Sequence, residues 1–148
     1  MRVSTQFPVA VHALMMVAAF PEMRITSEIV GQSTGCNPVV IRNLFPKLKK
    51  AGLLSVKAGR GKIELTRPIE EITLWDVYTA VESEQTEEIF KLHPHASDAC
   101  PVGCHIRELL VSHLDDAVAA MRRELSAVTL GMLQGELREL PPHPAAEG

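Results

Sequence analysis

Eight apolar residues near the carboxyl end constrain this chain more than any other feature. Ile106, Leu110, Leu114, Ala117, Met121, Leu125, Val128 and Met132 follow one another at spacings of 4, 4, 3, 4, 4, 3 and 4. That is the stripe of an amphipathic helix sustained for roughly seven turns. The pair Cys100-Pro101 is expected to open the helix, which then runs for about thirty residues, or about 45 Å at ~1.5 Å per residue. The remainder of a 148-residue chain is too small to cover such a rod. The stripe is therefore expected to bury against a second copy in a two-fold homodimer. The alternative is a helix folded back on its own domain.

The preceding residues divide into short pieces. Ser4 or Thr5 caps a first helix with Pro8 in its first turn, ending near Phe20 before Pro21. Arg2 followed by the run Ala13–Phe20 faintly resembles a secretion signal. Thr5, Gln6, Pro8 and His12 interrupt it, and no small-x-small site follows. It reads as a buried helix of a cytoplasmic protein, with thiols reduced by default. No segment approaches the ~20 apolar residues of a membrane span. Thr26 caps a second helix to about Ser33, and Thr34-Gly35-Cys36 forms a turn. Asn37-Pro38 starts a third helix ending near Ala51, with Gly52 as its stop signal. Its apolar positions are Val40, Ile41, Leu44 and Leu48, and Pro46 predicts a kink or weak turn. Residues 53–57 and 62–66 alternate as two strands around Ala58-Gly59-Arg60-Gly61. Thr73 caps a helix reaching about Glu82. The expected organisation is a winged helix-turn-helix over 1–82, an irregular connecting loop over 83–99, the dimerisation helix over 100–140 and a disordered tail over 141–148. The fold class is mainly α with a small β-hairpin.

Charge separates these parts. The net charge of −3 is the balance of +7 over residues 1–67 and −10 over 68–148. Eight of the ten early basic residues lie between Arg42 and Arg67, with Glu64 the one acid among them. A basic patch in an acidic protein points to a polyanion. Helix, short helix, turn, basic helix and hairpin follow the plan of a winged helix-turn-helix. There the third helix enters the major groove of double-stranded DNA and the hairpin touches flanking phosphates. Asn37, Val39, Arg42 and Asn43 are placed to read base edges, since Arg pairs with guanine and Asn with adenine. Lys47, Lys49, Lys50, Arg60 and Lys62 suit phosphate contact. A dimer would match a palindromic operator. An enzyme is not expected, because neither a Ser-His-Asp order nor a phosphate loop nor a dinucleotide glycine turn is present. A winged-helix adaptor that ignores DNA is the other alternative.

Three stretches carry a resemblance. Asn37-Pro38-Val39-Val40-Ile41-Arg42, Leu48-Lys49-Lys50-Ala51-Gly52-Leu53 and Ile72-Thr73-Leu74-Trp75-Asp76-Val77 resemble the Rrf2 family of bacterial transcription regulators. Ser4-Thr5 with Ala10–Leu14, and Cys100-Pro101-Val102-Gly103, are similar too. The likeness covers roughly residues 2–135 and is greatest to the YwnA-like branch, which lacks a complete cluster-binding motif. It implies a homodimeric winged-helix regulator, usually a repressor, that senses a signal near the start of the long helix. The wing departs from the family in lacking a fuller glycine run.

Iron–sulfur members of the IscR and NsrR types carry three cysteines in that region, whereas this chain has Cys100 and Cys104, with His105 following. His93, His95 and Asp98 are further ligand types nearby. Cys-x3-Cys matches the usual spacing of neither zinc nor a cluster. No cofactor is therefore expected, and a metal or iron–sulfur cluster on Cys100, Cys104 and His105 is the alternative. Cys36 precedes the cap of the third helix, and Cys100 the expected start of the long one. A helix amino terminus favours a thiolate, the form that oxidants attack. The arrangement is similar to hypochlorite-sensing members of the HypR type. That likeness implies redox sensing through Cys36, Cys100 and Cys104, with oxidation joining Cys36 to Cys100 or Cys104, in the partner subunit by preference.

Overall fold

A computed structural model describes residues 4–143 apart from 58 and 60. Helix α1 (Gln6–Ala19) buries Ala10, Ala13 and Leu14 at the centre of the molecule. Thr5 occupies its cap position without a side-chain bond, while Ser4 Oγ accepts from the Gln6 N–H at 3.1 Å. Helix α2 (Ser27–Thr34) starts where Thr26 accepts from the Ile29 N–H. Helix α3 (Pro38–Lys50) starts where Asn37 Oδ1 accepts from the Val39 N–H at 2.9 Å. α3 continues through Pro46, so the predicted weak turn does not form. Leu44 and Leu48, on either side of the proline, are 1% and 0% exposed, and their packing holds the helix together.

α2 and α3 approach closely at Gly31. A Cβ there would lie 2.9 Å from the Cys36 carbonyl oxygen and 3.3 Å from the Pro38 ring. No larger residue fits without opening the angle between the two helices.

Strands β1 (Leu54–Lys57) and β2 (Lys62–Leu65) form an antiparallel hairpin, with Leu54 opposite Leu65 and Lys57 opposite Lys62. A short 3-10 turn (Ile69–Glu71) leads to helix α4 (Leu74–Val81). Thr73 and Asp76 form a reciprocal capping box there. Trp75 stacks on Tyr78 at 5.3 Å, Phe7 meets Tyr78 edge-on at 5.6 Å, and the Arg122 guanidinium lies 5.8 Å from the Trp75 ring. Burial raises the Tyr78 phenol above its ordinary value, and the Glu82 carboxylate adds to the effect.

The carboxyl-terminal part corrects the expected helix in two ways. It begins at Ile106, because residues 99–105 form successive turns, and it breaks after Ser126. The pieces are α6 (Ile106–Ser126) and α7 (Leu130–Glu139). The break is imposed from a distance. The Leu74 N–H donates to the Val128 carbonyl at 2.8 Å, and the Leu130 N–H donates to the Ile72 carbonyl at 2.9 Å. Thr73 and Thr129 thereby form an antiparallel bridge. Thr129 caps α7 through the Met132 N–H, and Leu130 is fully buried. The stretch expected to be irregular contains one short helix, α5 (Thr86–Phe90). Thr86 donates to Asp115 at 2.5 Å and Arg107 pairs with Glu87 at 3.3 Å, tying α5 to α6. Residues 141–143 take neither helix nor strand, and 144–148 lie outside the described residues.

Candidate nucleic-acid interface

The α2–turn–α3 unit presents one face of α3 to solvent. Asn37, Val39, Arg42, Asn43, Lys47, Lys49 and Lys50 are all exposed. The side chains on that face are not equally free. Asn37 is held as the α3 cap. The Arg42 guanidinium pairs with Glu28 at 2.8 Å and donates to Ser27 Oγ at 3.2 Å, which ties it to α2. The bond from Arg42, with backbone and Ser27 donors, lowers the Glu28 carboxyl to about 2. Lys47 Nζ donates to Gln6 Oε1 of α1 at 2.6 Å. Asn43 and Lys49 have no hydrogen bond or ion pair from their side chains among the described residues.

Val40 is a correction. It was expected in the core with Ile41, Leu44 and Leu48, yet it is 38% exposed beside Val39 at 51%. Helical periodicity alone does not separate it from Ile41, its buried neighbour. The two valines make an apolar patch at the start of α3, of the kind that meets thymine methyl groups.

In the wing, Lys57 and Lys62 face each other across the ladder. Directly opposed like charges destabilise a hairpin, and a phosphate between them would relieve the repulsion. Lys57 lies 3.9 Å from Glu64, and Lys62 is half-buried. Arg60, expected to contact phosphate, lies outside the described residues. Arg24, outside the basic run from Arg42 to Arg67, also reaches the wing. Its Nη2 would lie 2.9 Å from a Cβ at Gly61, so the guanidinium rests against the wing turn. Nothing in the local sequence of Arg24 signals that placement.

The cysteines occupy different settings. Cys36 is half-buried against the core in the α2–α3 turn, and its N–H donates to Thr34 Oγ1 at 3.3 Å. Cys100 and Cys104 are exposed in the turns before α6, and all three are free thiols. Cys100 is not at a helix amino terminus as expected. Its thiol is nevertheless lowered, by the backbone N–H groups of Gly103 and then Val102. A Cβ at Gly103 would collide with the Ser97 carbonyl oxygen, so the loop closes this tightly only around glycine. Among the described residues no three His, Cys, Asp or Glu side chains converge on one point. Cys100 and Cys104 thus stand four residues apart with no convergent third donor among the described residues of the one chain.

A helix-turn-helix with an exposed basic third helix, followed by a lysine-tipped hairpin, defines a winged-helix DNA-binding transcriptional regulator. A profile of the Rrf2 family, described as "Iron-dependent Transcriptional regulator", matches residues 3–136, and the chain belongs to that family. It is 33% identical over 128 residues to the "Putative HTH-type transcriptional regulator YwnA" of Bacillus subtilis (strain 168), covering 86% of this chain and 93% of that one. It superposes on a solved "putative transcriptional regulator" from Lactobacillus plantarum with a TM-score of 0.76 at 26% identity, covering 90% of each chain. The fold is shared with IscR of T. potens, with a TM-score of 0.68 at 18% identity over 100% of this chain and 97% of that one. These relatives are regulators rather than enzymes. Among the described residues no helix is long and apolar enough to cross a membrane.

Proposed function

We propose that the chain works in the cytoplasm as a homodimeric repressor on a palindromic operator. Asn43, Val39 and Val40 would read bases, with Lys49, Lys50, Lys57 and Lys62 on phosphates. Arg42 would act from its Glu28 clamp, setting the pitch of α3 against α2. One observation supports the dimer above the rest: α6 runs for 21 residues without one buried side chain. Leu110, Leu114, Met121 and Leu125 are only half-covered, and Leu109 is 58% exposed. A helix with such a stripe is completed by a second copy. Mobility-shift titration on the protein's own upstream promoter, repeated across salt concentrations, tests the reading. Affinity should fall steeply with salt, as several phosphate contacts require. Retention that ignores salt, or no binding at low salt, would favour the adaptor.

The signal in this reading is thiol oxidation. Two features support it: Cys100 is exposed with its thiolate favoured, and Cys36 sits at the hinge of the reading head. With hypochlorous acid as oxidant, the Cys100 thiolate would take the chlorine and release hydroxide. A second thiol, Cys36 or Cys104, would then displace chloride and lose its proton to give a disulfide. Electrophoresis without reductant after hypochlorite treatment should show a crosslinked dimer. A crosslink that persists in Cys36→Ser would exclude Cys36 as the partner thiol.

A further inference from the structure

We propose that the cavity between the end of α1, strand β2 and the 3-10 turn binds a small amphipathic monocarboxylate, such as an aryl or medium-chain alkyl acid. The cavity holds about 430 Å³, within the size range of small-molecule sites. Val17, Phe20, Met23, Ile63 and Ile69 give it an apolar lining. Phe20 and Met23, just past the end of α1, are 49% and 46% exposed at its opening. Large apolar groups gathered around an opening mark a site for an apolar body.

Arg67 supplies the polar end. It lines the cavity, and its Nε is buried with no acceptor among the described residues. Its Nη2 reaches Asp76 at 3.4 Å, long for a charge-assisted bond. The side chain is 38% exposed and Asp76 is its one partner among the described residues, so the guanidinium keeps donors for an arriving acceptor. Lys62 adds a second cation to the lining, beside the acids Glu64 and Glu70. Glu64 lies beside Lys57, and the Glu70 stem packs against Gly131 of α7. A planar carboxylate matches the edge of a guanidinium, which an alcohol or an amine does not. One wall is the wing itself, so a ligand that prefers this hairpin position would bias the wing toward it. That last consequence alone rests on the DNA-binding reading.

The test uses the full-length protein, labelled with nitrogen-15 and free of DNA. Benzoate and hexanoate are titrated in, with benzyl alcohol and benzylamine as comparisons. The carboxylates should shift the amide resonances of Phe20, Met23, Ile63 and Ile69 saturably, and the amine should not. Arg67→Gln should weaken benzoate binding by about tenfold or more. Because Arg67 also touches Asp76, Ala18→Leu serves as the second variant. It fills the cavity, leaves the guanidinium in place and should abolish the shifts, with thermal unfolding confirming that both variants fold. Equal binding of benzyl alcohol, undiminished binding in Ala18→Leu, or shifts that track protein concentration instead of ligand would overturn the proposal. The last of these would assign the cavity to a second copy. No DNA enters the measurement, so failure here leaves the operator reading untouched, and loss of operator binding would leave these resonances in place.

Discussion

The reading head and α6 are built on opposite principles. From α1 to α4 the chain closes on itself. Of the buried hydrophobic residues among those described, all but Leu130 lie between Val9 and Val81. α6 is longer than any helix of the head and buries nothing completely. The head thus supplies its own stability, whereas α6 leaves an apolar stripe half-covered. Burial therefore separates the part that keeps its own shape from the part on which the proposed dimer would assemble.

The largest effect should come from emptying the head. Leu48→Ala, at a fully buried site, is expected to cost about 2–5 kcal/mol in urea unfolding. Leu114→Ala on α6 should leave the protomer nearly as stable and instead lower the dimer mass in dilute sedimentation runs. Equal losses of unfolding stability would erase the contrast. Next comes Gly31→Ala, which pushes a methyl into the Cys36 carbonyl. About 1–3 kcal/mol is expected by analogy with overpacked cores, together with weaker operator binding. Asn37→Ala removes the α3 cap and should cost about 1 kcal/mol. The smallest effect concerns Glu28. Its folded value is depressed, so the Arg42 clamp is fully present above its ordinary value of 4.5 and is lost as pH falls through about 2. Carboxyl NMR titration should place the Glu28 midpoint near 2, and Arg42→Ala should return it toward 4.5. A Glu28 midpoint indifferent to Arg42 would dissolve the clamp.

Local chemistry made most of the head legible. Thr26, Asn37 and Thr73 each cap the helix assigned to them, and Gly52, with φ of 76°, ends α3 as expected. Residues that act across the chain were hidden. Arg42 meets an acid fourteen positions earlier, and no spacing rule singles out that acid. The 4-3 stripe passes through the break between α6 and α7 without a missed beat, because what cuts it is the backbone of residues 72–74. A cap at Thr129 followed by Gly131 was the one local sign. Cys100 was misplaced for a related reason: Cys-Pro starts many helices, but here the Ser97–Gly103 contact folds the chain into turns first.

Trp75 is the chain's one tryptophan, and it lies between Tyr78 of the head and Arg122 of α6. Its emission therefore arises at the joint between the two halves. Any event that lifts the guanidinium off the indole, whether a crosslink, an operator or a lost partner, would register as a change of colour or quenching, with no label attached.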